Sequence, residues 1–255
     1  MAVKVTFLGT GTSQGVPVIL CECEVCRSLD SKDKRLRTSI HIEVDGKSFV
    51  IDSGPDFRQQ MLREHVQRLD ALIFTHAHKD HTGGMDDIRA FNYRQKEDIP
   101  IYGQERVIKQ LKQEFAYVFA AQKYPGVPNV LPNIIDKQAF EIKGVQFTPI
   151  EVLHYKLPVF GFRVKDFTYI TDANFISETE LEKIKGTDTL VLNALRKETH
   201  ISHFNLEEAL DIIEKVKPKK AYLTHLSHHM GTHRKVSLTL PQNVEIAYDG
   251  LRITV

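Results

Sequence analysis

Apolar and polar residues alternate along several short segments of the chain, a pattern typical of half-buried β-strands. Val3–Leu8 alternates in this way, and so do Ser39–Val44 and Ser48–Ile51 on either side of Asp45-Gly46. An Asp-Gly pair between two such runs predicts a β-hairpin. Further strands are predicted at Leu69–Phe74, Ile99–Tyr102, Phe140–Ile142, Val145–Val152, Gly161–Val164, Phe167–Ile170, Thr189–Asn193 and Ala221–Thr224.

Between these strands, apolar residues recur at helical spacing. Helices are predicted at Pro55–Glu64, Gly84–Gln95, Arg106–Phe119, Glu178–Lys185 and Leu206–Val216. The last two strands, Val244–Tyr248 and Leu251–Val255, are predicted to close the chain as a hairpin around Asp249-Gly250. Strands interspersed with helices throughout the chain favour a layered α/β arrangement, with sheets covered by helices.

One long segment fits neither pattern. Residues Ala120–Asp136 are rich in Pro, Asn, Tyr and Gly, which predicts a loop. The aromatic and proline-rich region Tyr117–Pro132 is compatible with a lid over a small substrate, a contact in a homodimer or a plain surface loop. Because no repeat or linker divides the chain, residues 1–255 are expected to form a single domain.

Composition narrows the functional class. The chain has 255 residues, of which 42% are hydrophobic and 26% charged, as in globular proteins. Its formal net charge of +1 speaks against a general polyanion binder. Since no run of apolar residues is long enough to span a bilayer, a membrane location is not expected. The N-terminus enters strand-like alternation at once, without the pattern of a signal peptide, which predicts a cytoplasmic protein.

The histidines and cysteines are the first candidates for functional residues. The chain has 12 His and 3 Cys, and most of the histidines fall in the stretches His76–His81, His200–His203 and His225–His233. The cysteines lie close together as Cys21-x-Cys23-x-x-Cys26. An odd, clustered set of cysteines does not suit a disulfide framework. Metal binding is the first hypothesis that this clustering suggests.

The densest group of metal-ligating residues is Thr75-His76-Ala-His78-Lys-Asp80-His81, directly after the apolar strand Leu69–Phe74. Loops at the carboxyl ends of strands are where α/β proteins place chemistry. His76 and His78 project to the same side of an extended backbone and can grip one ion. Beyond the turn, Asp80 and His81 can reach a second ion. Imidazoles and a carboxylate suit Zn²⁺, Mn²⁺ or Fe²⁺.

This H-x-H-x-D-H pattern resembles the signature of the metallo-β-lactamase fold hydrolases. The resemblance implies an α/β fold with four αββα layers. It also predicts one His, one Asp and one further His, in that order, at the ends of later strands, and His154, Asp172 and His225 fit.

The implied site binds two divalent ions, Zn²⁺ or Mn²⁺. His76, His78 and His154 would hold the first ion. Asp80, His81 and His225 would hold the second, and Asp172 would bridge the two. Such a pair activates water for hydrolysis of an ester or phosphodiester, and Asp80 could also orient that water.

The cysteine cluster predicts a separate zinc site. Three thiolates need a fourth ligand for tetrahedral Zn²⁺, and the spare residues His228, His229 and His233 are candidates. The stretch Gly9–Pro17 followed by the three cysteines, with a late Thr-His-x-x-His, resembles the cyclic-phosphate phosphodiesterases of the carbon–phosphorus lyase pathway. That resemblance spans nearly the whole chain and assigns the fourth ligand to His228. A closed Cys₃His site would be structural.

A proton donor is expected just before the helix Leu206–Val216, which Asn205 or Ser202 could cap. Cleavage of a phosphodiester expels an alkoxide that an imidazolium can protonate. In the phosphodiesterase branch and in the related transfer-RNA 3′-end endonucleases, a His ahead of such a helix takes this part. The resemblance therefore points to His203, with His200 as the alternative.

The leading hypothesis is a hydrolase of a small phosphodiester, for example a cyclic one. An RNA 3′-end processing nuclease of the same superfamily is the second, although the chain lacks a basic glycine-rich arm to hold RNA. The third is a non-catalytic carrier resembling the pyrroloquinoline quinone B protein. The basic stretch with His229, His233, Arg234 and Lys235 could offer charge to a phosphate or simply be a surface loop.

Overall fold

The first half of the chain, joined by its last strand, builds one sheet in the computed structural model, which describes residues 2–255. The sheet comprises β1 Lys4–Gly9, β2 Ser39–Val44, β3 Lys47–Ile51, β4 Ala71–Ile73, β5 Ile99–Gly103, β6 Val130–Ile134 and β15 Arg252–Thr254. Their order is β15-β1-β2-β3-β4-β5-β6. The pairs from β15 to β3 are antiparallel, and those from β3 to β6 are parallel. The predicted hairpin at Asp45-Gly46 is confirmed.

The second half builds the other sheet. It comprises β7 Phe140–Ile142, β8 Val145–His154, β9 Leu157–Val164, β10 Phe167–Ile170, β11 Phe175–Ile176, β12 Thr189–Asn193, β13 Lys220–Thr224 and β14 Val244–Ile246. The order is β11-β8-β9-β10-β12-β13-β14, and β7 also pairs with β8. Strands β10, β12, β13 and β14 run parallel, so their carboxyl ends meet at one edge.

Helices cover the outer face of each sheet. They are α1 Glu24–Arg27, α2 Phe57–Arg63, α3 Lys79–Thr82, α4 Arg89–Gln95, α5 Glu105–Glu114, α6 Glu178–Ile184, α7 Leu206–Val216 and α8 His233–Ser237. Short 3₁₀ helices lie at Ser31–Asp33, Met85–Ile88 and His228–Met230. Within residues 2–255, none of the helices combines the length and apolar character needed to cross a bilayer.

Strand alternation explains the layers. In β3, Phe49 packs between the two sheets, where its ring meets that of Phe147 edge-on at 5.2 Å. Its neighbour Val50 points the other way, into the cluster that α2 and α5 cover. In β12, Val191 likewise lies between the sheets, whereas Leu190 packs with α6 and α7. Because successive side chains face opposite sides of a strand, each sheet buries both faces. The predicted four-layered αββα sandwich is confirmed.

The predicted closing hairpin is wrong. Strand β14 pairs in parallel with β13, whereas β15 pairs antiparallel with β1 in the other sheet. Between them, the Asp249 carboxylate accepts hydrogen bonds from the Thr10 hydroxyl at 2.7 Å and from the Leu36 amide at 2.8 Å. These bonds fix the turn to the first sheet, so the chain crosses from one sheet to the other and each strand pairs with a different sheet edge.

The predicted loop Ala120–Asp136 contains strand β6, which extends the first sheet beyond β5. Pro132 is tolerated there because an edge strand leaves backbone donors unpaired. The preceding helix ends at Glu114, earlier than predicted. The region 117–132 is anchored at both ends: Tyr117 donates a hydrogen bond to Asp86, and Val130 is buried under the helical layer.

Candidate active site

Strand ends place the predicted ligands at one edge of the sandwich. His154 is the last residue of β8, Asp172 lies just after β10 and His225 directly follows β13. Asp172 and His225 have φ angles of 56° and 58°, and Asp52, after β3, has 66°. Non-glycine residues avoid this left-handed region at a cost of about 1 kcal/mol or more each. Such strain is typical of functional sites, where the surrounding structure holds residues in unusual conformations.

His76, His78 and His154 converge as predicted. His76 Nε2 lies 3.0 Å from His78 Nδ1, and candidate ligand atoms of all three residues lie within 4.8 Å of one another. The remaining ring nitrogens have partners: His76 Nδ1 lies 3.0 Å from the Thr75 hydroxyl, and His154 Nδ1 donates to the Ser202 carbonyl at 2.9 Å. These contacts leave His76 Nε2 and His154 Nε2 as the free ligand atoms. Two nitrogens on one tetrahedral Zn²⁺ would be about 3.3 Å apart, close to the separation found.

The other predicted ligands surround Asp172. His225 Nδ1 lies 3.0 Å from Asp172 Oδ1, and His81 Nε2 lies 3.4 Å from the same oxygen. Asp80 Oδ2 is 3.2 Å from His81 Nε2. His76 Nε2 lies 3.8 Å from Asp172 Oδ2, which connects this group to the first three histidines. The seven residues predicted from the sequence therefore form one continuous cluster.

Asp52 is a member of the site that sequence reasoning missed. Its fully buried carboxylate accepts hydrogen bonds from the Thr75 amide at 2.9 Å, the Thr75 hydroxyl at 2.8 Å and His81 Nδ1 at 2.7 Å. The last bond places the His81 proton on Nδ1 and leaves Nε2 facing the cluster. A carboxylate behind a histidine is a common support for metal ligands. The signal was an Asp-x-Gly directly after the apolar strand β3.

Gly54 explains how the H-x-H-x-D-H loop reaches Asp52. A Cβ on Gly54 would lie 2.0 Å from the Asp80 carbonyl oxygen, so only glycine permits this approach. Next to it, the Ser53 amide donates to the His81 carbonyl at 2.8 Å. The loops after β3 and β4 are thereby held together, and Asp80 and His81 are fixed in place.

The cluster is electrostatically suited to a cation. Burial alone would lower the pKa of His81, but Asp172, Asp52 and Asp80 raise it well above its ordinary value. Burial would raise the pKa of Asp172, but His225 and His81 bring it well below the usual range. Burial, with the nearby charge of His81, lowers the pKa of His76 strongly and keeps its ring neutral. The carboxylates around His81 thus favour positive charge at this position, and a divalent cation can take the place of the proton on its ring.

Two ring nitrogens support the same interpretation. His81 Nε2 and His203 Nε2 are buried, and neither makes a hydrogen bond within the described part of the chain. Buried polar atoms without a partner are rare and need an explanation. A metal ion fits His81 Nε2, because Asp80, Asp172 and His76 present further donor atoms around it.

His203 lies closer to the cluster than His200. It is buried, and its Nε2 lies 3.4 Å from Asp172 Oδ2. Its Nδ1 faces the Ser202 hydroxyl at 3.0 Å and His200 Nδ1 at 3.2 Å. Helix α7 begins after Asn205, whose side chain forms a capping box with Glu208, as one of the two predicted caps. The cap fixes the segment that carries His203.

The cysteine cluster and His228 come together as predicted. His228 Nδ1 lies 3.1 Å from Cys21 Sγ, 3.4 Å from Cys23 Sγ and 3.6 Å from Cys26 Sγ. On a tetrahedral Zn²⁺, sulfur and nitrogen ligands would be about 3.5 Å apart. Burial acts to raise the pKa of Cys23, but the Cys26 amide and His228 lower it to about 6. The group therefore fits a Cys₃His zinc ion, with the thiolate that such an ion requires.

Two of the neighbouring basic residues, His233 and Lys235, make contacts beside this second cluster. The amine of Lys235 pairs with Glu24 of α1 at 2.6 Å. The His233 amide donates to Asp33 at 2.6 Å, and its ring meets that of Tyr248 edge-on. These contacts favour the interpretation of this segment as a surface element rather than a phosphate clamp.

A family model and a solved structure are similar to this chain. A family model described as a beta-lactamase superfamily domain matches residues 47–226. A solved diphosphatase of the PhnP family is 37% identical with a TM-score of 0.94, over 100% of this chain and 98% of that chain.

Two curated relatives align with this chain over only part of their own sequences. The octanoyltransferase of Porphyromonas gingivalis is 37% identical over 251 residues, which are 97% of this chain and 51% of that protein. The ribonuclease Z of Bradyrhizobium diazoefficiens is 27% identical over 161 residues, 62% of this chain and 48% of that protein. The chain thus spans about half the length of both curated relatives.

Proposed function

The chain belongs to the β-lactamase superfamily, with its metallo-β-lactamase fold, and on that premise we propose that it is a metal-dependent phosphodiesterase acting on a small substrate. The observation that carries the proposal is the convergence of imidazole nitrogens and carboxylate oxygens on Asp172. A 37% identical diphosphatase that matches the whole chain supports hydrolysis at phosphorus.

The donor set suggests two divalent ions, Zn²⁺ or Mn²⁺. His76, His78 and His154 would hold one ion, and Asp80, His81 and His225 the other, with Asp172 shared between them. Bound ions of this kind lower the pKa of water towards neutrality and offset the charge of a phosphoryl group. Asp52 supports the second position by holding the His81 ring.

Side chains of the protein itself would orient the attacking water and protonate the leaving group. Asp80 is only partly buried, so its carboxylate can accept a hydrogen bond from the attacking water and orient it. The water gives up a proton, which Asp80 can pass to solvent, as its oxygen bonds to phosphorus and the bond from phosphorus to the leaving oxygen breaks. His203 then gives its proton to that oxygen, and His200 remains the alternative donor. Burial lowers the pKa of His203 to about 4, despite the nearby Asp172, and an anionic phosphodiester bound beside the ring would raise it.

The size of the substrate is inferred from charge. The net charge of +1 gives no general attraction for RNA, which basic surfaces provide in RNA-binding proteins. We therefore favour a small, for example cyclic, phosphodiester over an RNA 3′ end, although a ribonuclease Z is among the relatives. An assay with precursor transfer RNA separates the two, since efficient cleavage at the 3′ end would favour the nuclease.

Two other activities fit the chain less well. A non-catalytic carrier would not need a full ligand set together with a candidate proton donor. For the octanoyltransferase relative, we infer that acyl transfer belongs to the half of that protein outside the alignment. In this chain all 3 cysteines lie in the Cys₃His cluster, which leaves no free thiol to carry an acyl group.

The Cys₃His cluster is proposed as a structural zinc site, because its four ligands leave no position for a substrate. Reduced thiolates are maintained in the cytoplasm, which is therefore the location that we propose.

Hydrolysis of bis-p-nitrophenyl phosphate with added Mn²⁺ or Zn²⁺ tests the proposal. We expect turnover that depends on the metal and is abolished in His76→Ala and in Asp172→Ala. The exposed Tyr93→Ser serves as a control that should keep full activity. Absence of turnover by the metal-loaded parent would favour the carrier, and activity retained in either site variant would overturn the assigned ligands.

A further inference from the structure

Three residues of the metal-ligand cluster are each preceded directly by a threonine. The pairs are Thr75 before His76, Thr171 before Asp172 and Thr224 before His225. All three threonine side chains are fully buried, at or just after the ends of strands β4, β10 and β13. Valine has the same shape without the hydroxyl, so a threonine buried at these positions points to a hydrogen-bonding role.

Thr75 shows what such a hydroxyl does. It donates to Asp52 Oδ2 at 2.8 Å, so its oxygen is left to accept from His76 Nδ1 at 3.0 Å. The proton of the His76 ring is thereby kept on Nδ1, and Nε2 faces the cluster. Thr75 thus connects the supporting carboxylate of Asp52 to a candidate metal ligand.

The Thr171 hydroxyl makes the corresponding contact with the shared carboxylate. It donates to Asp172 Oδ1 at 2.7 Å, and its oxygen lies 3.4 Å from His225 Nδ1. His225 Nδ1 is itself 3.0 Å from the same Oδ1. The hydroxyl therefore contacts both the central carboxylate and one of the rings around it. The hydroxyl of Thr224, by contrast, has no hydrogen-bond partner within residues 2–255.

The two oxygens of Asp172 face different parts of the cluster. Oδ1 faces His81 Nε2 at 3.4 Å and His225 Nδ1 at 3.0 Å. Oδ2 faces His203 Nε2 at 3.4 Å and His76 Nε2 at 3.8 Å. Rotation of the carboxylate about its Cβ–Cγ bond would draw both oxygens away from these partners. The torsion angle of one short side chain thus decides the geometry of both halves of the cluster.

Thr171 is placed to fix this torsion angle. Within the described residues, its hydroxyl donates the one side-chain hydrogen bond that reaches the Asp172 carboxylate from outside the cluster. The backbone is held separately, because the Asn193 side chain accepts from the Ala173 amide at 2.8 Å and donates to the Ala173 carbonyl at 2.9 Å. The ligand histidines would have their nitrogens engaged by metal ions, which leaves the torsion angle to Thr171. A buried β-branched side chain has little rotational freedom of its own.

We propose that Thr171 is a positioning residue whose hydroxyl orients the Asp172 carboxylate for sharing between the two ion positions. The proposal rests on the proposed two-ion site, and it assigns a residue that acts only through Asp172. One lone pair of Oδ1 accepts from Thr171, and the other lone pairs of the carboxylate remain for cations. Partners behind a ligating side chain account for about 10- to 100-fold in metal affinity.

Two pairs of proteins isolate the hydroxyl. The parent and Thr171→Val differ by this group at full side-chain size, and Thr171→Ser and Thr171→Ala differ by it at a smaller size. Metal-depleted protein is titrated with Mn²⁺, and free Mn²⁺ is measured by electron paramagnetic resonance. We expect Thr171→Val to bind Mn²⁺ about 10- to 100-fold more weakly than the parent, and Thr171→Ala to bind it more weakly than Thr171→Ser by a similar factor.

Thr168→Val is the matched control. Thr168 is also fully buried on β10, but its hydroxyl donates to the Thr187 hydroxyl at 3.0 Å. Thr187 in turn donates to the carbonyl of Asp166, just before the strand and at the end away from the cluster. Thr168→Val and Thr171→Val each lose one buried hydrogen bond, so both should melt at a lower temperature without metal. Of the two, only Thr171→Val should also lose Mn²⁺ affinity.

The outcomes separate this role from the proposed function. A parent that binds Mn²⁺ but does not hydrolyse bis-p-nitrophenyl phosphate would overturn the phosphodiesterase and leave the role of Thr171 to the measured affinities. Equal affinities within each pair would overturn the positioning role and leave the proposed function standing. Equal losses in Thr171→Ser and Thr171→Ala would trace the effect to the methyl group and overturn the role as well. A parent that binds no Mn²⁺ would refute both.

Discussion

Replacing Asp52 by asparagine tests whether this buried carboxylate orients a metal ligand. The side chain keeps its shape but loses its charge and gains an –NH₂ donor. In the parent, one oxygen accepts from the Thr75 amide at 2.9 Å, and the other accepts from His81 Nδ1 at 2.7 Å and from the Thr75 hydroxyl. Whichever way the amide is turned, its –NH₂ group faces an N–H donor.

The consequence for His81 follows from its two nitrogens. If the new –NH₂ faces Nδ1, the ring must move its proton to Nε2, the atom that faces Asp80 and Asp172. A protonated Nε2 cannot bind a metal. If the amide is flipped, its –NH₂ opposes the Thr75 amide and the loop shifts. Loss of such a supporting hydrogen bond lowers metal affinity about 10- to 100-fold, which is about 1.4–2.7 kcal/mol.

The assay is a titration of metal-depleted protein with Mn²⁺, followed by binding and by turnover of bis-p-nitrophenyl phosphate. The control is Asp70→Asn, at the opposite end of β4 from Thr75. Asp70 is also buried and accepts from the Ser48 amide, Arg68 and Lys143. Asp70→Asn should lower stability and leave metal affinity unchanged. A folded Asp52→Asn variant that binds Mn²⁺ as tightly as the parent does would refute the role assigned to Asp52.

Three further predictions follow from other parts of the molecule. Cys23→Ser should lose one tightly bound zinc per chain and melt at a lower temperature; serine still caps α1, so unchanged zinc content by elemental analysis would exclude the Cys₃His site. Burial acts to raise the pKa of Asp70, but Arg68 and Lys143 lower it to about 2 from the usual 3.8, so this carboxylate stabilises the fold above about pH 4. Asp70→Asn should therefore lose about 1–2 kcal/mol of unfolding free energy at pH 7. In urea titrations, the difference in unfolding free energy between parent and variant should shrink as the pH falls towards 2. A difference independent of pH would contradict the ion pairs. His203→Ala should slow hydrolysis of alkyl phosphodiesters by about 10²- to 10⁴-fold and that of bis-p-nitrophenyl phosphate far less, because p-nitrophenolate leaves without a proton; equal losses would point away from a general acid.

Patterns local in the chain determined much of this protein. Helix α7 has the predicted bounds and the Asn205 cap, because helical periodicity and a capping residue are both readable from neighbouring positions. His154, Asp172 and His225 were identified through the resemblance to the metallo-β-lactamase fold hydrolases, and each comes at the end of an apolar strand. Parallel strands bring their carboxyl ends to one edge, so a correct list of strands implied that these side chains would meet.

Contacts between distant segments were decided only by the tertiary structure. Asp52 becomes a support for His81 because Gly54 lets the loop after β4 approach within contact of the loop after β3. The last two strands separate into different sheets because edge strands pair with whichever backbone is free, and the Asp249 bonds hold the turn between them. Periodicity shows which residues face inwards along a strand, but not which strand lies beside it. That choice depends on hydrogen bonds and packing between residues far apart in the sequence, for which no local pattern exists.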